Sequence, residues 1–88
     1  MPSTGDARAI STFLDAIAAE NGAARNTLLA YGRDLSGAAD WMSDYGSTLS
    51  EADATAIESY LVALDADGLA RSTRARRLSA LKQFFRFA

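Results

Sequence analysis

Apolar residues recur three or four positions apart in four separate segments of this chain of 88 residues. No segment of useful length alternates between apolar and polar residues, so no β-strand is predicted. The observed spacing is the period of an amphipathic α-helix, which has to bury its apolar face against another element. The sequence therefore predicts an all-α four-helix bundle, with helices over about 7–21, 25–44, 54–66 and 71–87.

The apolar faces of these helices predict the core. Their members are Ile10, Phe13, Leu14 and Ile17 in the first helix, Leu28, Tyr31, Leu35, Ala38 and Met42 in the second, Ile57, Leu61 and Leu64 in the third, and Leu78, Leu81 and Phe85 in the fourth. Tyr60 and Val62 are expected only at the edges of the third apolar face.

The residues around the helix ends favour these boundaries. We expect a flexible start over 1–6, with Asp6 capping the first helix of a single domain over 7–88. The stretch 46–52 is rich in turn-forming residues and is expected to be a connection. Asp53 is expected to cap the third helix, and Gly68 to end it as a left-handed residue.

The chain contains neither cysteine nor histidine. Without cysteine there is no disulfide framework, and a cytoplasmic location is the default. Without histidine the commonest general base and metal ligand are missing, and no serine has a histidine partner, so we predict no active site, cofactor or metal. No apolar run approaches the roughly 18 residues of a membrane span, so no membrane partner is expected.

The last twenty residues, 69–88, differ in charge from the rest of the chain. They hold six of the nine basic residues and none of the eleven acidic ones, so this segment carries +6 and the remainder −8, for a net charge of −2. Such segregation within one small domain indicates an element that faces a polyanion.

Polar residues also form a stripe along the predicted fourth helix. It consists of Ser72, Arg76, Ser79, Gln83 and Arg86 and lies opposite the apolar face. Such side chains bond to phosphates and to base edges in the major groove of DNA, which admits a helix. A solvated helix face is the alternative interpretation of the same pattern.

The chain carries three characteristic stretches in order: ISTFL at 10–14, NTLLAYGRDL at 26–35 followed by Trp41, and STRARRLSALKQFFRF at 72–87. Together they resemble the N-terminal core-binding domain of tyrosine recombinases, the family of Xer-type recombinases and phage integrases. The resemblance implies a SAM-like four-helix bundle that forms one half of a C-shaped clamp around recombination-site DNA. The other half is a catalytic domain with Arg, Lys, a His-x-x-Arg segment and a Tyr nucleophile, which this sequence lacks.

The resemblance implies that the start of the second helix and the polar face of the fourth lie against double-stranded DNA. It implicates Asn26, Thr27, Ala30 and Arg33 in the second helix and Ser72, Thr73, Arg76 and Ser79 in the fourth. The polar stripe adds Gln83, and Arg71 and Arg77 are expected to serve either as phosphate contacts or as packing residues. Replacing Arg33 and Arg76 together by alanine is expected to abolish DNA binding while leaving the helices intact.

The expected function is therefore that of a non-enzymatic DNA-binding module for DNA recombination and integration. Its partners would be DNA, the catalytic domain of the same parent chain and other recombinase subunits. Two departures from the family pattern weaken DNA binding or the start of the second helix: Gly32 replaces a common basic residue, and Ala24 a common capping serine. The alternative function is a helical protein–protein interaction domain, which would use Phe87 or the acidic faces.

Overall fold

The computed structural model describes residues 4–21 and 24–87, and within them it contains helices and no strand. The helices are α1 (Thr4–Asn21), α2 (Arg25–Tyr45), α3 (Ala54–Ala66) and α4 (Arg71–Phe87). This confirms the predicted all-α four-helix architecture. α2 is the central element, because it packs against each of the other three helices. Among the described residues, no helix is both long and apolar enough to cross a membrane.

One core joins all four helices. Its buried members are Ile10, Phe13, Ile17, Leu35, Ala38, Ala39, Met42, Leu49, Ala56, Tyr60, Leu64, Ala80, Leu81 and Phe84. The rings of Phe13 and Phe84 meet edge to face, with centroids 5.6 Å apart, and tie α1 to α4. The predicted apolar faces of α1 and α2 are the buried ones, so periodicity located most of this core correctly.

The predicted cap and turn around α3 are confirmed. The Asp53 carboxylate accepts a hydrogen bond of 2.8 Å from the Ala56 N–H, which would otherwise lack an intrahelical partner. Gly68 follows the helix with a φ of 68°, a conformation that residues with a Cβ rarely adopt.

The start of α1 differs from the prediction. The helix begins at Thr4 and includes Asp6, so residues 4–6 of the expected flexible start are helical, and residues 1–3 lie outside the described residues. Asp6 lies within the first turn of α1 and not ahead of it. Its buried carboxylate accepts hydrogen bonds from the backbone N–H of Leu49 (2.7 Å), the backbone N–H of Ser50 (3.2 Å) and the Ser50 hydroxyl (2.9 Å).

This contact also explains the connection between α2 and α3. The stretch 46–52 is a turn, as predicted, but its Leu49 is fully buried in the core. Burying that side chain takes the neighbouring backbone N–H groups out of water, and a buried donor without an acceptor is costly. Asp6 supplies that acceptor from the first turn of α1.

The buried faces of α3 and α4 are rotated relative to the predictions. Tyr60, expected at an edge, is buried near the centre of the α3 face. On α4 the buried residues are Ala80, Leu81 and Phe84, while Leu78 and Phe85, both expected inside, are only half-buried. The buried face of α4 is therefore turned toward the polar stripe, which leaves Ser79 and Gln83 half-buried as well.

Two glycines inside α2 give a matched test of helix packing. A methyl group at Gly37 would contact nothing within 4 Å, whereas one at Gly32 would come within 3.3 Å of Leu14 Cδ1 on α1. We expect Gly37→Ala to raise the free energy of unfolding by about 1 kcal/mol through helix propensity. Gly32→Ala should gain less, because Leu14 has to shift. Denaturant unfolding measures both variants, and equal gains would contradict a close α1–α2 approach at Gly32.

Candidate nucleic-acid interface

The predicted DNA-contact residues lie on α2 and α4, which pack against each other along a seam. The Gln83 amide donates a hydrogen bond of 3.2 Å across the seam to the Tyr31 hydroxyl and another of 3.2 Å to the Ser79 hydroxyl within α4. Arg76 reaches across the seam to Asp34. On α2, Asn26 and Arg33 are exposed and Ala30 is half-buried, and Arg33 also lines a groove toward Leu14 of α1.

Most of the predicted contact residues are accessible. The exposed ones are Asn26, Thr27, Arg33, Arg71, Ser72 and Arg76. The half-buried ones are Ala30, Thr73, Arg77, Ser79 and Gln83. Apart from Arg77, the two sets form a surface of small and polar side chains with guanidiniums at its edges, which suits a nucleic-acid backbone. We refer to the predicted residues other than Arg77 as the α2–α4 face.

Asp34 is a buried acid at the centre of this seam. Its carboxylate accepts hydrogen bonds from Arg76 Nε at 2.8 Å and from Arg76 Nη2 at 3.0 Å. The Nε of Arg77 lies 3.6 Å from the same carboxylate, so one buried negative charge is shared by two guanidiniums. The hydrogen bond to Asp34, together with the charge of that carboxylate, raises the pKa of Arg76 above its ordinary value. Arg76 therefore stays cationic.

Arg77 does not belong to the α2–α4 face. It precedes Ala80, Leu81 and Phe84 by three, four and seven positions, so it lies on the buried side of α4. Its Nε is buried and donates no hydrogen bond to the part of the chain that the structure describes. Burial raises the pKa of the Tyr60 phenol above its ordinary value, and the Arg77 guanidinium beside it acts in the opposite direction. These contacts favour the packing role of Arg77, and a phosphate contact at Arg77 stays a prediction.

Sequence reasoning passed over Asp34, although a signal for it was present. Asp34 follows Tyr31 by three positions and precedes Ala38 by four, and both of those residues lie on the predicted apolar face of α2. An acid on an apolar face needs a buried partner. Its partners, Arg76 and Arg77, lie on α4, and periodicity does not show which helices are neighbours.

The Asp34 contact also changes the expected effect of Arg76→Ala. That substitution would take both Arg76 hydrogen bonds from a buried carboxylate, which is destabilising as well as relevant to binding. The expectation that Arg33→Ala and Arg76→Ala together leave the helices intact therefore has no support in this geometry. A test of binding alone has to use other cations of the α2–α4 face.

Two further features set the charge around the α2–α4 face. Arg74 of α4 pairs with Asp65 near the end of α3. The second half of α2 carries Asp40 and Asp44, so only the first half offers a surface without carboxylates. At the start of α2, Ala24 occupies the N-cap position and its side chain accepts no capping hydrogen bond, as a serine there would.

Phe87, the residue singled out for protein interaction, lies near the end of α4. Its side chain is 47% exposed, and its ring centroid lies 5.7 Å from that of Phe13. Shallow grooves between α1 and α4 flank this contact, and residues such as Ile17, Ala9 and Phe84 line them. Phe87 is therefore partly packed against the bundle and only partly available to another molecule.

Comparison with known proteins provides independent information. A family model described as the phage integrase N-terminal SAM-like domain matches residues 10–88. Among curated proteins, the tyrosine recombinase XerD of Caulobacter vibrioides is 51% identical over 85 residues, which are 97% of this chain and 28% of that protein. The proteins of the same name from Brucella abortus and Rhizobium meliloti are 49% and 45% identical over 79 and 78 residues, covering 90% and 89% of this chain and 26% and 25% of their own lengths.

The chain thus spans about a quarter of the length of these curated relatives. No match was found among solved structures. The family match and the relatives agree with the resemblance that the three sequence stretches indicated, and they confirm it.

Proposed function

We propose, because this chain belongs to the family of phage integrase N-terminal SAM-like domains, that it is the DNA-binding module of a tyrosine recombinase. In this proposal it binds double-stranded recombination-site DNA through the α2–α4 face and forms part of a clamp. Cleavage and rejoining of the DNA would be carried out by a catalytic domain outside the present 88 residues. Other subunits of the same recombinase on the DNA are its proposed protein partners.

The observation that carries the proposal is that most residues implicated by the resemblance in α2 and α4 are exposed and are polar or cationic. The start of α2 contributes exposed Asn26 and Arg33, and α4 contributes exposed Arg71, Ser72 and Arg76. These side chains donate hydrogen bonds to phosphate oxygens, and a helix that carries them fits the width of the major groove. The net charge of −2 makes long-range attraction to DNA weak, so binding should depend on these local contacts.

A titration of fluorescent duplex DNA with this domain, repeated over a series of salt concentrations, tests the proposal. Each phosphate contact contributes about −0.9 to the slope of log affinity against log salt, so about five contacts would give a slope of roughly −4 to −5. We expect Arg33→Gln combined with Arg71→Gln to weaken binding and to reduce the magnitude of the slope by about 2. Neither guanidinium forms a hydrogen bond or ion pair with the described residues, so the fold should be retained.

Arg8→Gln is the matched control, because Arg8 is an exposed arginine on α1, outside the α2–α4 face. It should leave the slope nearly unchanged. Wild-type protein that binds no DNA even at low salt would contradict the proposed function. The alternative of a protein-interaction domain, which half-exposed Phe87 favours, would then become the leading hypothesis.

A further inference from the structure

We infer that Asp34 is a positioning residue for DNA recognition: it holds the side edge of the Arg76 guanidinium, formed by Nε and Nη2, so that the end edge, formed by Nη1 and Nη2, is presented to a DNA phosphate. This inference rests on the proposed function and adds to it a residue that never touches DNA. Asp34 is absent from the residues that sequence reasoning assigned to the DNA contact.

The Arg76 guanidinium keeps free N–H donors when it is bound to Asp34. A guanidinium has five N–H groups in one plane, arranged as a rigid fork. Asp34 accepts from Nε at 2.8 Å and from Nη2 at 3.0 Å, which uses the side edge of the group. The end edge, formed by Nη1 and the second N–H of Nη2, keeps two parallel donors. Two parallel donors match two oxygens of a phosphate and form a bidentate contact.

Asp34 and Arg76 differ strongly in burial. The Asp34 side chain is 3% exposed, whereas the Arg76 side chain is 44% exposed. The carboxylate is therefore an anchor within the fold, and the guanidinium extends from it toward solvent. An unanchored arginine loses side-chain entropy when it binds a phosphate. Arg76 is already ordered by its anchor, so less entropy remains to be lost on binding.

The charges of Asp34, Arg76 and Arg77 together determine whether this cluster attracts or repels a phosphate. A lone carboxylate beside the α2–α4 face would repel DNA phosphates. Asp34 is shared by Arg76 and by Arg77, whose Nε lies 3.6 Å away, so the three groups together carry one positive charge. Arg77, on the buried side of α4, neutralises the charge of the Asp34 carboxylate. The positive charge of the more exposed Arg76 therefore remains available to a phosphate.

Substitution of Asp34 by asparagine distinguishes a positioning role from a purely electrostatic one, because the two predict opposite changes in DNA affinity. Removal of a negative charge near DNA would strengthen binding if charge alone mattered. If Asp34 positions Arg76, the same change weakens binding, because an amide offers one acceptor oxygen in place of two. We expect Asp34→Asn to weaken binding of a mixed-sequence fluorescent duplex at low salt by about tenfold or more.

The matched control is Glu58→Gln, which changes an exposed carboxylate of α3 to an amide and leaves the α2–α4 seam unaltered. It should bind DNA as well as wild type or slightly better. A double variant adds a second criterion, because an effect that acts through Arg76 disappears once Arg76 is gone. Asp34→Asn with Arg76→Gln should therefore bind no more weakly than Arg76→Gln alone. Circular dichroism at the temperature of the titration verifies that each variant is folded.

A measurement on the unmutated protein covers the case in which Asp34→Asn does not fold. The Nε–H resonance of Arg76 reports its hydrogen bond to Asp34 in NMR spectra. We expect that resonance to persist when duplex DNA is added, while the Nη resonances shift. Loss of the Nε–H hydrogen bond on DNA binding would overturn the inference, because Asp34 would then release Arg76 rather than hold it.

The outcomes separate the two levels of proposal. Wild-type protein that binds no duplex DNA overturns the proposed function together with this inference. Wild-type protein that binds with a steep salt dependence, while Asp34→Asn binds equally well or more tightly, overturns the positioning role alone.

Discussion

Asp34→Ala is expected to lower the free energy of unfolding by about 2–3 kcal/mol. The substitution leaves the buried Nε of Arg77 beside an empty space where a carboxylate stood, and it frees two donors of Arg76. The side chains of Arg76 and Arg77 are 44% and 30% exposed, so water offsets part of the lost interaction. Since a small domain has only about 5–15 kcal/mol of stability, much of it would be lost.

Urea unfolding followed by circular dichroism measures this effect. Asp44→Ala is the control, because Asp44 is an exposed acid on the same helix, and its removal should change stability by less than about 0.5 kcal/mol. A loss below about 1 kcal/mol for Asp34→Ala would show that the buried carboxylate is not essential to the fold.

A triple variant separates stability from binding at this site. Asp34→Leu, Arg76→Gln and Arg77→Met together remove every charge from the cluster, and apolar replacement of a buried charge cluster is often neutral or stabilising. We expect this variant to recover most of the stability that Asp34→Ala loses, yet to bind DNA no better than Arg76→Gln. Recovery of DNA binding along with the fold would mean that Asp34 and Arg76 serve the fold alone.

Asp6→Ala is the second large effect, with an expected loss of about 2–4 kcal/mol. The Asp6 carboxylate accepts hydrogen bonds from two backbone N–H groups and one hydroxyl in the turn around Leu49 and Ser50. Removing it leaves the buried donor of Leu49 without this acceptor and loosens a turn whose leucine is fully buried. Thermal unfolding should show a lower midpoint, and hydrogen exchange should show faster exchange at Leu49 than in the core of α2.

Two controls separate the components of the Asp6 effect. Ser50→Ala removes only the hydroxyl donor and should cost about 1 kcal/mol or less, since Ser50 is exposed. Asp53→Ala removes a helix cap of ordinary strength, which typically contributes about 1 kcal/mol. If Asp6→Ala cost no more than Asp53→Ala, Asp6 would be contributing as a residue of the first turn of α1 and not as a link between α1 and the turn.

Asp34 and Asp6 hold this small domain together in the same way. Each buried carboxylate lies on an early helix and joins it to a segment more than forty residues away in the sequence. Asp6 attaches α1 to the turn before α3, and Asp34 attaches α2 to α4. The second link includes Arg76 of the α2–α4 face, so the proposed DNA contact is built on one of these two buried carboxylates.

Helix boundaries were largely predictable because they depend on local chemistry. The apolar period, the Asp53 cap and Gly68 each act within a few residues, and the predicted spans of α3 and α4 match the structure. The concentration of cations in 69–88 is likewise a property of the sequence, and it predicted that α4 faces a polyanion. The family resemblance depended on three short segments that are recognisable in the sequence itself, and the comparisons with known proteins confirm it.

What periodicity could not supply was the rotation of each helix and the identity of its neighbours. A helical wheel shows which residues share a side, but it does not show which side meets which partner. α4 turns Arg77 inward because Asp34 and Tyr60 are there to receive it, and both lie on other helices. Asp6 accepts from Leu49 and Asp34 from Arg76 across separations of 43 and 42 residues, so these pairings arise only when the helices pack against one another.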